Sequence, residues 1–379
     1  MSKDQDEVPE EYFGNDATDV EAEDDTSGGS DADPWNPDLI RIHTKSYSLR
    51  HITDMIKDGE IDLAPDFQRQ YVWKDAQRSG LIESILLGIP LPSFYFNEDK
   101  NGALQVVDGV QRITTIDLFT RDTFALGDVV YLKTLRGTVW SGLDPILRRR
   151  FQSTQIVVHV IDPQTPYRVK FDIFRRINTG GTPLSAQEIR HCMSHERSRG
   201  FLRDIVKMPV FRDVMGSKVV NHPRMAANEI ALRLVAFHIS TVEDYQRFAS
   251  LDAFLGSVTE MLDDRSKISD ARLEELKTLA ERALTNAKTA LGEYAFRKRY
   301  PGSDRRNPIN RTLVESWGKV FAEADPRVVL ARKFDLELAA RRLFADATFA
   351  NSISGSTGDS GKVRTRMDMV RATVEAVLA

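Results

Sequence analysis

A single cysteine, Cys192, stands in 379 residues. One thiol forms no intrachain disulfide and builds no thiolate zinc cluster. No nucleophile motif surrounds Cys192, so it reads as a small helix residue. Long apolar runs are missing too. None reaches the roughly 18 residues that cross a bilayer as a helix, so no membrane partner is expected. The N-terminus lacks the basic start and apolar stretch of a secretory signal, which makes the cytoplasm the expected location. Residues 1–38 also lack aliphatic periodicity. They hold 14 acidic residues against one lysine, a net −13. A segment of this kind buries too little surface to offset its ordering entropy and is expected to be a disordered acidic tail. It would act as a solubilising tail, or alternatively as a DNA mimic that shields the rest.

The rest carries 51 Lys and Arg against 42 Asp and Glu, a net +9, so the formal −4 of the whole is the sum of two opposed parts. A moderately basic body suits phosphate-bearing ligands such as nucleotides or DNA. Histidines are few as well, seven in all. None lies in an Asp-His pair followed by an Asn and a second His at nuclease spacing. His191 and His195 are four apart and could share a metal from one helix face, but no third ligand accompanies them, and a solvated face is the simpler account.

From residue 39 onward periodicity appears. Ser48 is placed to cap a helix over 49–57, with Leu49, Ile52, Met55 and Ile56 on one face and Gly59 closing it. Residues 61–65 read as extended, ending before Pro65. A helix is expected over about 75–88, ending at Gly88. Ser93–Asn97 alternates as a strand, Asn101-Gly102 is a hairpin turn, and Ala103–Val107 returns. A helix follows Asp108-Gly109. Val129–Leu132 and Gln155–Ile161 read as further strands, with a helix containing Arg148-Arg149-Arg150 between them. Thr165-Pro166 opens another helix, and Ser185 with Glu188 forms a capping box for the next. Beyond about 195 strand signals fade. Helices are expected at 227–239, 271–291, 308–323 and 332–346, then a flexible segment near 352–361 and a last helix over 363–378. The fold class is therefore α+β. A mixed α/β domain spans 39–195 and a mainly helical domain spans 196–379.

Three segments have the chemistry of a site. In the first, a buried strand runs through Asp108-Gly109 into a helix N-terminus, where free N–H groups and the helix dipole attract anions. Gly109 admits a phosphate close to the backbone. Arg112, in the first turn, has a planar fork suited to phosphate oxygens. Gln111 can bond a phosphate or place a water, Asp108 can hold Mg2+ through waters, and Thr114 and Thr115 add hydroxyls. The plain alternative is a tight turn with Arg112 in a surface salt bridge. The second segment, Asp66-Phe67-Gln68-Arg69 with Tyr71 and Trp73, offers another cation and aromatics that could stack on a base. Its alternative is a structural loop with Trp73 in the core. The third, Arg175-Arg176-Ile177-Asn178-Thr179-Gly180-Gly181, ends a helix in short polar groups and a mobile turn, and a helix cap explains Gly180 alone.

The order of these segments resembles the N-terminal domain of the GmrSD family of type IV restriction endonucleases. The segments that carry the resemblance are Pro65–Trp73, Leu81–Pro90, Val107–Thr115 and Ile177–Gly181 with Leu184-Ser185 and Glu188-Ile189-Arg190. It covers about residues 40–195 and implies a core similar to the ParB/sulfiredoxin fold. Family members carry an Asp-Gly-Gln-Gln-Arg motif tied to nucleotide binding and hydrolysis, and Asp108, Gly109, Gln111 and Arg112 match it. Val110 departs from it, which bears on hydrolysis more than on binding. The resemblance implies a nucleoside triphosphate, with Mg2+, as ligand. Asp108, Gln111 and Arg112 would be the catalytic groups, and Gln68, Arg69, Gly109, Thr114, Asn178, Thr179 and Gly180 the nucleotide-binding ones. The histidine-containing nuclease half that many relatives carry is not recognisable here. The expected partners are DNA, a separate nuclease or defence protein, or a second copy of the chain. Two functions stay open, an NTPase of the restriction or phage-defence type and a nucleotide-gated binding module without turnover. A scaffold with a vestigial pocket is the third.

Overall fold

Strands concentrate in the first part of the chain and helices dominate the second. The structure, a computed structural model, describes residues 8–13, 16–23, 39–63, 73–99, 102–177, 184–222, 224–300 and 302–379. The chain divides into two compact units. One comprises Pro34–Ser185 and Ile189–Met193, the other Met1–Asp33, Ala186–Glu188 and Ser194–Ala379.

The first elements are strands β1 (Glu10–Phe13) and β2 (Asp16–Glu21), which pair antiparallel. Then follow β3 (Ile42–Ser48), α1 (Leu49–Lys57), β4 (Ile61–Asp62), α2 (Asp75–Leu87), β5 (Phe94–Glu98), β6 (Leu104–Asp108), α3 (Val110–Thr120), α4 (Pro145–Ser153), β7 (Gln155–Ile161), α5 (Tyr167–Ile177) and α6 (Ala186–Met193). Among the described residues the sheet of the first unit is five-stranded, in the order β3-β7-β5-β6-β4. The β3–β7 and β5–β6 pairs are antiparallel, and β5–β7 and β4–β6 are parallel, so the sheet is mixed.

Local chemistry explains most of these boundaries. The Ser48 hydroxyl accepts the N–H of His51, starting α1, which buries Leu49, Ile52 and Met55 at helical spacing. Gly88, in the left-handed region at φ 81°, closes α2. Asp144 caps α4 through the Ile146 N–H, with Pro145 at the first helical position. Between the sheet and its helices lies one apolar cluster. Ile82, Ile85, Phe94, Phe96, Ile113, Ile116, Phe119, Val158 and Val160 are each fully buried in it, and Trp73 packs against it as expected.

One expected strand is absent. Residues 129–132 form no strand, because the N–H groups of Val130, Tyr131 and Leu132 all donate to the Glu83 carboxylate at 2.6–3.0 Å. Burial raises the Glu83 carboxyl, and these three donors outweigh it and hold it below its ordinary value. A carboxylate on α2 therefore takes the place of a neighbouring strand.

The second unit is helical. After α6 come α7 (Glu196–Lys207), α8 (Pro209–Met215), α9 (Ser217–Val220), α10 (Ala226–Ile239), α11 (Val242–Tyr245), α12 (Leu251–Asp263), α13 (Asp270–Leu291), α14 (Arg311–Glu323), α15 (Pro326–Ala331), α16 (Lys333–Phe344), α17 (Ala347–Ser352) and α18 (Ser360–Leu378). The four expected helices correspond to α10, α13, α14 and α16. One apolar cluster runs from Val20 through Val374, with Trp317 and Phe321 at its centre on α14. Among the described residues no helix is long and apolar enough to cross a membrane.

Two expectations for this unit are corrected. Residues 8–13 and 16–23 of the acidic segment are ordered, as the β1–β2 hairpin and its flanks. Apolar area alone would not hold them; carboxylates paired with arginines of the helical unit and the buried Val20 do. The 352–361 segment is likewise tied down. Its Ser352 and Thr357 carbonyls accept from Arg366, and the Gly358 carbonyl accepts from the Tyr245 hydroxyl. A further correction falls in the first unit, where His191 is buried and not on a solvated face.

Candidate functional site

The site begins with β6. Leu104 to Val107 are buried, and Asp108 ends the strand. Gly109 then turns the chain at φ +95° and starts α3. The glycine is required twice over. Its backbone lies in the region L side chains rarely adopt, and a Cβ there would sit 2.3 Å from a Phe94 ring carbon on the adjacent strand. Among the described residues no side chain caps α3 at this position, whereas Ser48 and Asp144 cap α1 and α4. The first-turn N–H groups and the positive end of the dipole are thus presented at a backbone that carries no side chain.

Arg112 is one turn into the helix. Its guanidinium donates to the Pro92 carbonyl, to the Ser93 carbonyl at 3.1 Å and to the Asp108 carboxylate at 2.9 Å. Its central carbon lies 4.2 Å from the centre of the Phe94 ring. The side chain is 13% exposed, and burial pulls its pKa down against the opposing pull of Asp108. Three of the five guanidinium N–H groups are therefore already in use. The fork clamps the β5 entry loop to the end of β6.

Asp108, Gly109, Gln111, Arg112 and Thr114 thus come together on one strand-turn-helix. The Thr114 hydroxyl is buried with no hydrogen-bond partner among the described residues, while the Thr115 hydroxyl donates to the Gln111 carbonyl. Val110 packs against the sheet's apolar cluster. Gln68, Arg69, Asn178, Thr179 and Gly180 lie outside the described residues. Among the described residues no group of three or more His, Cys, Asp or Glu is placed to hold a metal. Asp108 stands there as a single carboxylate, paired with Arg112.

Residues 50–194 match the family model of the GmrSD restriction endonuclease, N-terminal domain. This part of the chain is a GmrSD N-terminal domain. No curated protein and no solved structure matches the chain.

Two features of the GmrSD domain escaped sequence reasoning. One is the Glu83 clamp on residues 130–132. The other is a buried polar relay, in which Lys170 on α5 donates to Asn97 on β5 at 2.9 Å and Asn97 donates to Gln105 on β6 at 2.9 Å. All three side chains belong to buried residues. The relay anchors to the sheet the helix that ends at Ile177, just before Asn178. The available signal was a polar residue, Gln105, inside the otherwise apolar run Leu104–Val107; its partners could not be deduced from it.

Proposed function

We propose that the GmrSD domain of this chain binds a nucleoside triphosphate at the Asp108–Arg112 turn and serves a restriction or phage-defence system. The observation that carries this is the α3 N-terminus, which starts at a glycine with no capping side chain and has an arginine in its first turn. Anionic phosphates there gain both the helix dipole and the guanidinium. A phosphate competes with Asp108 for Arg112, because both are anionic acceptors for the same N–H groups. The Asp108 carboxylate, once displaced, is the group that would hold Mg2+, whose charge would offset the phosphates. Gln111 would orient a phosphate oxygen or a water, with Thr114 supplying a hydroxyl. Gln68, Arg69, Asn178, Thr179 and Gly180 remain the proposed contacts from the two flanking segments. The core would be used as in ParB/sulfiredoxin-like proteins. DNA, a separate nuclease or defence protein, or a second copy of the chain are the proposed partners.

A specific observation favours binding without rapid turnover. Val110 contributes its side chain to the apolar cluster and offers no donor or acceptor to a phosphate. This supports a nucleotide-gated module over an NTPase. The test is a panel of nucleoside triphosphates measured by calorimetry and by phosphate release, with and without Mg2+ and DNA. At least one triphosphate should bind. Asp108→Asn should bind it as tightly or more tightly without Mg2+, because the competing charge is gone, and should lose most of the gain that Mg2+ brings. Val110→Gln should raise phosphate release with little change in affinity. If the folded protein binds no triphosphate in the panel, the proposal fails. Turnover at ordinary enzyme rates that Val110→Gln leaves unchanged would replace the gated module with the NTPase.

A further inference from the structure

The acidic hairpin occupies a basic groove in the helical unit, and the way it does so has the form of peptide recognition. Glu11 pairs with Arg311 through two bonds of 2.8 and 3.0 Å, and Asp19 with Arg297 through two of 2.8 Å. Glu21 accepts from Lys298 at 2.7 Å and from Asn310 at 2.8 Å. Glu23 takes Arg233 through two bonds of 2.9 and 2.6 Å. Between these carboxylates Val20 is fully buried. The backbone brackets it: the Glu21 N–H donates to the Ile309 carbonyl at 2.8 Å, and the Ile309 N–H donates to the Asp19 carbonyl at 2.9 Å. Asp19, Glu21 and Glu23 stand at alternate positions of the chain, with Asp19 turning the backbone at φ +62° and Glu23 just past the end of β2.

The groove cannot stand empty at low cost. Arg233, Arg297, Lys298, Arg311 and Arg366 are all buried. Among the described residues the helical unit itself sets Glu229 and Glu315 among them. With the four hairpin carboxylates gone, the cluster would hold three uncompensated positive charges and an open apolar seat. Leaving one partner of a buried pair behind is among the most destabilising of changes. Exchange of one acidic strand for another avoids that state. A nucleic-acid strand could match the charges, but it has no backbone N–H and C=O to pair with Ile309 and no aliphatic side chain for the Val20 seat. The hairpin is held by two main-chain bonds around an isolated bridge between Val20 and Ile309, and by its carboxylates and the Val20 side chain.

We propose that this groove is a binding site for an acidic strand of a partner protein, one that presents carboxylates at alternate positions around a small aliphatic residue. Residues 8–13 and 16–23 are its resident occupant, and the partner enters by replacing them. None of the residues of the Asp108 turn takes part. To test this, a specific protease site is placed within residues 24–38 of the full chain and cut under native conditions. A fluorescent peptide of residues 8–23 is then titrated in, with binding read by anisotropy. Saturable one-to-one exchange is expected. At least a tenfold loss is expected for the peptide carrying Asp19→Asn, Glu21→Gln and Glu23→Gln, and for the one carrying Val20→Asp. The uncut protein should take the peptide more weakly, because its own hairpin is tethered at high effective concentration. As a second measurement, unlabelled peptide added to the uncut protein should speed hydrogen exchange at residues 16–23. Equal binding by a scrambled peptide of the same charge would overturn the proposal. So would displacement of the peptide by a single-stranded oligonucleotide, which would make the groove a polyanion site. An absence of exchange in both the cut and the uncut protein would make the hairpin a permanent part of the fold and overturn it too.

Discussion

Arg112→Ala separates what the arginine does for the fold from what it does for a ligand. The truncation removes the donor to two carbonyls and to Asp108, and the stacking on Phe94. A hydrogen bond from a charged donor contributes about 1.5–3 kcal/mol. Three such bonds do not add, because one side chain makes them all. Asp108 is 35% exposed and can turn to water, which reduces its share to that of a surface pair, about 0–1 kcal/mol. The Ser93 carbonyl and the Phe94 face are harder to satisfy otherwise, and the stacking alone contributes about 0.5–2 kcal/mol. A net destabilisation of about 2–5 kcal/mol follows for the sheet unit, as the sum of one charged bond and the stacking. Urea unfolding followed by tryptophan fluorescence measures it, with Trp140, which packs on Phe119 and Phe151, as a reporter in this unit. Arg112→Lys keeps the charge but not the fork and should fall between the two. A loss below about 0.5 kcal/mol, the size of an ordinary surface substitution, would refute the clamp. Under conditions where the variant is fully folded, triphosphate affinity should drop by a further 1.5–3 kcal/mol or about that, the value of a charge-assisted bond. A destabilised variant that binds triphosphate unchanged would leave Arg112 as a structural residue only.

Gly109→Ala should cost about 2–5 kcal/mol, from the left-handed backbone, about 1–2 kcal/mol, and from pressing a methyl into Phe94, about 1–3 kcal/mol; an unchanged urea midpoint would remove the packing account. Glu83→Gln should speed amide exchange at Val130, Tyr131 and Leu132, and exchange as slow as in the parent would show that the carboxylate does not hold them. Because the folded Glu83 carboxyl lies below its unfolded value, its contribution is present above about pH 4.3 and is lost as pH falls through the folded value, so this variant should also show a shallower acid limb. His238 is held down to about 3, chiefly by burial and next by Lys319, with Arg272 and Arg371 acting the same way and Glu323 opposing. The folded state then stays neutral while the unfolded chain takes up a proton below about pH 6.5, so stability should fall from there toward pH 3 by up to about 1.4 kcal/mol per pH unit. His238→Gln should remove that share of the slope, and an identical pH profile would refute it.

Where a boundary depends on neighbours in the chain, the sequence reveals it. Ser48 and Gly88 act within a few residues of themselves, and the helices they delimit lie close to where those residues predict; Asn101 of the expected hairpin turn lies outside the described residues. The failures share a cause. Val129–Leu132 has the composition of a strand, yet its N–H groups go to a carboxylate 47 to 49 positions earlier. The acidic segment has the composition of a disordered tail, yet the cations that order it lie 210 to 300 positions later. In both cases a buried carboxylate pairs over a distance that no local pattern encodes, and composition describes only what the segment would do alone.

The motif at 108–112 was legible, but its residues do not all argue for a ligand equally once their contacts are known. Phe94 alone explains Gly109, since a Cβ has no room beside the ring. The β5 entry loop explains Arg112, since that loop's carbonyls need its donors. A motif match therefore counts these two residues once for the fold before it can count them for phosphate. What packing leaves unexplained is that, among the described residues, the start of α3 has no capping side chain and the buried Thr114 hydroxyl has no partner. A Ser or Asp cap would add about 1 kcal/mol, but Phe94 and the left-handed turn forbid it at position 109. The steric demand that excludes a cap at position 109 thus also leaves the first turn of α3 without a side-chain cap among the described residues. At this turn the fold's requirement and an anion's requirement are met by the same glycine.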